Sequence, residues 1–71
     1  MRIEHLVSMA NDIGNFFNAE SDKAEAAKSV ANHVRRFWDP RMRREIIAHY
    51  KKGGAGLDEL PKTGIGLLAD E

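Results

Sequence analysis

The dipeptide Asp39-Pro40 sits in the middle of a helical pattern and constrains the fold more than any other feature of this 71-residue chain. Proline disfavours helical geometry in the residue before it and suits the first position of a helix. A helix must therefore end at about Trp38 and another begin at Pro40, with almost no linker between them. Asp39 is placed as the N-cap of the second, its carboxylate accepting from backbone N–H groups near Arg41 and Met42.

The apolar residues on either side follow the same logic. Ile3, Leu6, Val7, Ala10, Ile13 and Phe17 recur at three- and four-residue steps, which predicts a helix over about 3–18. Gly14 lies within that stripe and implies close approach of another backbone. Met9 and Phe16 lie beyond its edge and widen the apolar arc to about 180°, more than one neighbour in a small bundle would cover. Asn18 to Asp22 is polar and turn-like, and Asp22 to Glu25 has capping-box spacing. The next helix, about 23–38, carries a thin stripe of Ala24, Ala27, Ala31, Val34 and Trp38, with Val30 and Phe37 at one side. A thin face opposite Gly14 predicts a tight antiparallel pair. The third helix, about 40–52, has Met42, Ile46, Ile47, His49 and Tyr50 on one side; Arg43 intrudes among them. Gly53 or Gly54 provides the left-handed stop. Pro61, Gly64 and Gly66 then argue for one short turn and an extended tail. The expectation is an all-α, three-helix domain over 1–60 with an irregular or short-helical C-terminal tail, 61–71.

Such a chain buries only about 60% of the surface it exposes when unfolded, so its own stability is marginal. Small scaffolds compensate with disulfides, a metal or a partner. There is no cysteine, which removes disulfides, thiolate zinc sites and iron–sulfur ligation together. His5, His33 and His49 lack short-range pairing of the kind zinc sites use, and His33 and His49 read as structural histidines. A partner is the remaining option. The amphipathic N-terminus does not read as a signal peptide, and no stretch reaches the roughly 20 apolar residues of a membrane span, so a cytoplasmic location is expected.

No catalytic group is expected. Ser8 and Ser29 face outward on their helices and Ser21 reads as a cap. Glu4, His5, Ser8 and Asp12 share a solvated face. Gly53 to Gly56 lacks the preceding strand and the Gly-Lys-Ser/Thr ending of a phosphate loop. The net charge is zero, yet residues 35–52 hold seven basic side chains against Asp39 and Glu45. Within this patch the sharpest run is Arg35-Arg36-Phe37-Trp38-Asp39-Pro40-Arg41-Met42-Arg43-Arg44. Trp38, Asp39 and Pro40 form the structural corner. Arg35, Arg36, Phe37, Arg41, Arg43 and Arg44, with Met9 and Phe16 from the first helix, are the partner-binding candidates, because aromatic and arginine side chains dominate interface energetics. A helix-turn-helix regulator of nucleic acid is the alternative. Acidic flanks and zero net charge weigh against it, since phosphate neutralisation drives such binding.

Three blocks carry a resemblance: Met9-Ala10-Asn11-Asp12-Ile13-Gly14-Asn15-Phe16-Phe17, His33-Val34-Arg35-Arg36-Phe37-Trp38-Asp39-Pro40-Arg41-Met42-Arg43, and Gly53-Gly54-Ala55-Gly56-Leu57-Asp58. In order and spacing they resemble the delta subunit of cytoplasmic, NAD-dependent, molybdenum-containing formate dehydrogenases, from about Leu6 to Leu60. The resemblance implies a non-catalytic accessory subunit that supports assembly, cofactor retention or stability. Its implied partners are the molybdenum-containing alpha subunit, most directly, with beta and gamma subunits. The complex would hold bis-molybdopterin guanine dinucleotide, iron–sulfur clusters and FMN, none of them bound by this chain. A transient maturation chaperone for the molybdenum cofactor is a third reading. Members of that family often continue into another short helix, from which Pro61, Gly64 and Gly66 depart.

Overall fold

Local chemistry sets where each helix starts and stops. A computed structural model describes residues 1–71 as four helices: α1 (Ile3–Phe17), α2 (Lys23–Phe37), α3 (Pro40–Lys51) and α4 (Glu59–Ala69). No strand is present. The Asp22 side chain caps α2, accepting from the N–H groups of Ala24 (3.1 Å) and Glu25 (3.2 Å). The reciprocal half of the expected capping box is made differently, since Glu20 rather than Glu25 accepts from the Asp22 N–H. Asp39 caps α3 by accepting from Met42 N–H at 2.9 Å, with Pro40 in the first turn. At the end of α3 the Gly53 N–H donates to Tyr50 O and the Gly54 N–H to His49 O. That pair of bonds is the Schellman closure, and it needs the positive φ that Gly53 adopts (116°).

The all-helical class is as the sequence indicates, but the C-terminal segment, expected as an irregular or short-helical tail, is a full helix of about three turns. It forms α4, which packs on all three other helices. Pro61 is no obstacle because it lies in the first turn, where N–H groups have no intrahelical acceptor anyway. The next residue, Lys62, makes a turn-closing bond to Asp58 O at 3.0 Å. Gly64 and Gly66 cost about 1 kcal/mol each relative to alanine. Burying Ile65 (0% exposed) and Leu68 (6%) returns about 1.5–3 kcal/mol apiece, which outweighs it.

The glycines also redraw the helix pairing. Gly14 does not face the alanines of α2; a Cβ there would lie 2.5 Å from Pro61 Cδ. The alanine side of α2 meets α4 instead, where a Cβ on Gly64 would lie 2.6 Å from Val30 Cγ1 and 3.1 Å from Ala27 O. Gly66 similarly makes room for the Tyr50 ring. The α2 stripe is accordingly rotated: Ala26, Ala27, Val30, Ala31 and Val34 are buried, whereas Ala24 is exposed. Leu6, Ala10, Val34, Trp38, Ile46, Ile65 and Leu68 form the main core cluster. The radius of gyration, 10.7 Å, matches the value of about 11 Å expected for one compact body of this length. No helix is long and apolar enough to cross a membrane.

Gly64→Ala tests this arrangement. Helix propensity favours alanine by about 1 kcal/mol, but a Cβ set against a core valine and a backbone carbonyl has no room to relax. Overpacking, about 1–3 kcal/mol, should win near its upper end. The melting temperature should fall by roughly 5–15 °C in a thermal scan; a rise would show that α4 does not sit this close to α2.

Candidate aromatic and basic docking surface

The Asp39-Pro40 corner is built from its core outward. Trp38 is only 5% exposed and ends α2, its N–H donating to Val34 O at 3.0 Å. Asp39 takes the extended backbone (ψ 165°) that a residue before proline favours. Arg43 then reaches back across the corner, and its Nη1 donates to Arg35 O at 2.6 Å. This explains the arginine among apolar positions of α3. A helix leaves its last carbonyls without partners and carries partial negative charge there, and a guanidinium satisfies both conditions.

The other arginines divide by what they touch. Arg35 donates through Nε to Glu71 Oε1 at 3.1 Å, and through its Nη groups to the second Glu71 oxygen and to Asn32 Oδ1. Arg41 lies 3.7 Å from Glu45 one turn along α3, an exposed pair that contributes little. Arg36 and Arg44 are exposed and make none of the molecule's four ion pairs. The Arg36 guanidinium instead stands 5.9 Å from the centroid of the Phe37 ring.

Phe37 closes a row of rings running from α1 onto α2. Phe16 and Phe17 meet edge to face at 5.0 Å and Phe17 and His33 at 6.4 Å, while His33 and Phe37 lie tilted at 4.8 Å. The two outer rings are strongly exposed, Phe16 at 78% and Phe37 at 69%. A shallow hollow of about 260 Å³ lies along the α1 end, between Ile13, Phe16, Phe17 and His33. Met9 is half-buried and packs against the core. His33 reads in the sequence as a structural histidine; its four-residue spacing from Phe37 was the signal for its place in this row.

The Gly-rich segment is held rather than open. Asn11 Nδ2 donates to Gly56 O at 2.9 Å, while its Oδ1 accepts from Asp58 N–H at 2.8 Å. His49 Nε2 lies 2.7 Å from Ala55 O. Asn11 thus joins the first and third of the sequence blocks directly. The buried residues are all apolar or glycine and proline, and no three His, Cys, Asp or Glu side chains gather where a metal ion would sit.

Fold and surface together define a small all-helical module with a closed apolar core and an outward display of rings and guanidinium groups. The chain belongs to the NADH-dependent formate dehydrogenase delta subunit family, FdsD, whose model matches residues 5–65. It is by that membership a subunit of a formate dehydrogenase, and association with other subunits of such an enzyme follows. No curated protein and no solved structure matches the chain.

The division among arginines is testable by stability. Arg43→Met keeps the aliphatic stem but removes the bond to Arg35 O, and should cost about 1 kcal/mol, or about 4–8 °C in melting temperature. Arg36→Glu and Arg44→Glu should each stay within about 0.5 kcal/mol of wild type. Equal losses in all three would contradict the division.

Proposed function

We propose that this chain is a non-catalytic accessory subunit that docks on the molybdenum-containing alpha subunit of an NAD-dependent formate dehydrogenase. It supports assembly, cofactor retention or stability of a cytoplasmic complex that also contains beta and gamma subunits. The observation that carries the reading is the exposed row Phe16–Phe17–His33–Phe37, with Arg36 beside it. Two phenylalanines left in water are a standing cost for a domain with so small a core. Aromatic and arginine side chains contribute most where a partner excludes water from them. Met9, half-buried on α1, and Arg41, exposed at the start of α3, are further proposed contacts.

Electron-transfer cofactors are assigned to the other subunits. Iron–sulfur clusters are held chiefly by cysteine thiolates, and this chain has none. Bis-molybdopterin guanine dinucleotide and FMN need deep sites with converging polar groups, and the buried residues here are apolar. A nucleic-acid role is disfavoured by the overall charge balance. The chain's formal net charge is zero and its flanks are acidic, so the phosphate-neutralising contribution is small.

The test is reconstitution of the complex with and without this chain, and with a Phe16→Ser/Phe37→Ser variant. Loss of two hot-spot side chains, at about 2 kcal/mol or more each, should weaken binding to the alpha subunit by roughly a thousandfold. The melting temperature of the free variant should not fall, because both rings are exposed. Omission of the chain should lower the yield or lifetime of active, molybdenum-loaded enzyme. Retention of the double variant at wild-type affinity would rule out the aromatic row as the docking surface. Unchanged enzyme on omission would end the accessory-subunit reading. If the chain acts on the alpha subunit but leaves the mature enzyme, it is a maturation chaperone instead.

A further inference from the structure

A second surface lies on the other side of α2. Helical geometry of 100° per residue places Arg35 about 160° around α2 from Phe37, so the two cannot serve one flat contact. There, Arg35, Arg43 and Arg44 border a shallow groove of about 400 Å³ whose apolar lining includes Ile47, Leu68 and Pro40. One carboxylate occupies it, that of Glu71, gripped by the Arg35 fork. Three guanidinium groups against one carboxylate leave a local excess of two positive charges.

We infer that this groove is a docking site for an acidic segment of a protein partner, self-occupied by Glu71 until the partner displaces it. Three features point to that occupant. The guanidinium fork matches a carboxylate in two-point geometry, as the Arg35–Glu71 pair already demonstrates. The apolar floor calls for aliphatic side chains beside the acidic ones, which a peptide carries and a free anion lacks. Arg44 on the groove wall has no carboxylate of its own, leaving one cationic position for a second acidic residue. Glu71 is also well placed to leave. It lies beyond the last residue of α4, and its backbone is tied only by a bond from its N–H to Leu68 O at 3.3 Å. Both partners of the ion pair are partly exposed, at 38% for Arg35 and 51% for Glu71, so exchanging one carboxylate for another costs little desolvation.

The experiment is an NMR titration of the full chain, labelled with nitrogen-15, against a capped peptide of alternating glutamate and leucine. Shifts should concentrate on the amides of Arg35, Arg43, Arg44, Ile47 and Leu68 and should shrink steeply with added salt. Glu71→Gln removes the internal competitor and should tighten binding about two- to fivefold, the range that one partly exposed ion pair supplies. Arg44→Glu should weaken it about tenfold. The Phe16→Ser/Phe37→Ser variant should bind the peptide as wild type does, which separates this groove from the aromatic row. The inference is overturned if Glu71→Gln leaves affinity unchanged or lowers it, or if the shifts spread over the surface without a focus. It is likewise overturned if inorganic phosphate reproduces the same shifts at equal affinity, which would make the groove a general anion site.

Discussion

The close approach of α4 to its three neighbours is the constraint on which the rest of the molecule depends. At three places a side chain is missing so that another group can enter: Gly14 for the Pro61 ring, Gly64 for Val30, and Gly66 for Tyr50. Without these contacts the alanine stripe of α2 would face water and Ile65 and Leu68 would lose their burial. A domain this small has few alternatives. Dispersion is short-ranged, so thin faces at close separation compensate for modest side-chain volume. The fourth helix therefore acts as the wedge that turns three amphipathic helices into one core.

Most of the first three helices was legible in the sequence, because their boundaries depend on chemistry within a few residues. Asp22, Asp39-Pro40 and Gly53-Gly54 each state a start or stop in local terms, and the structure places α2 and α3 within a residue of where those signals point. The fourth helix was not legible in the same way. Pro61, Gly64 and Gly66 are poor helix chemistry when read alone, and each is explained only by a position or a neighbour that local pattern does not contain. Gly14 illustrates the same limit. The sequence says that something comes close there, but not that it is a proline 47 positions later.

The candidate surface divides along the same line. Trp38, Asp39 and Pro40 fill the structural roles that their residue types and order suggest. Arg43, visible as an anomaly in the apolar face of α3, resolves into a cap on the neighbouring helix. Arg35 is taken up by Glu71, a pairing across 36 positions with no local signature. What began as one basic and aromatic cluster becomes two surfaces, one of rings and one of guanidinium groups, on opposite flanks of a single helix. Because Trp38 and Asp39 are the only residues between α2 and α3, and Arg43 bridges them, both flanks belong to one rigid corner.

The place of α4 in the chain carries a consequence for the order of events during synthesis. A bundle whose wedge is translated after its other parts cannot close while the first three helices alone have emerged. Until α4 is released, Leu6, Val34 and Ile46 share an uncovered apolar seam, a state in which partly folded chains are most prone to misassociate. The row of rings reaches its final spacing only when α1 and α2 are clamped together. On this ordering α4 must emerge before the chain can recognise a partner through that row, so assembly waits on that helix.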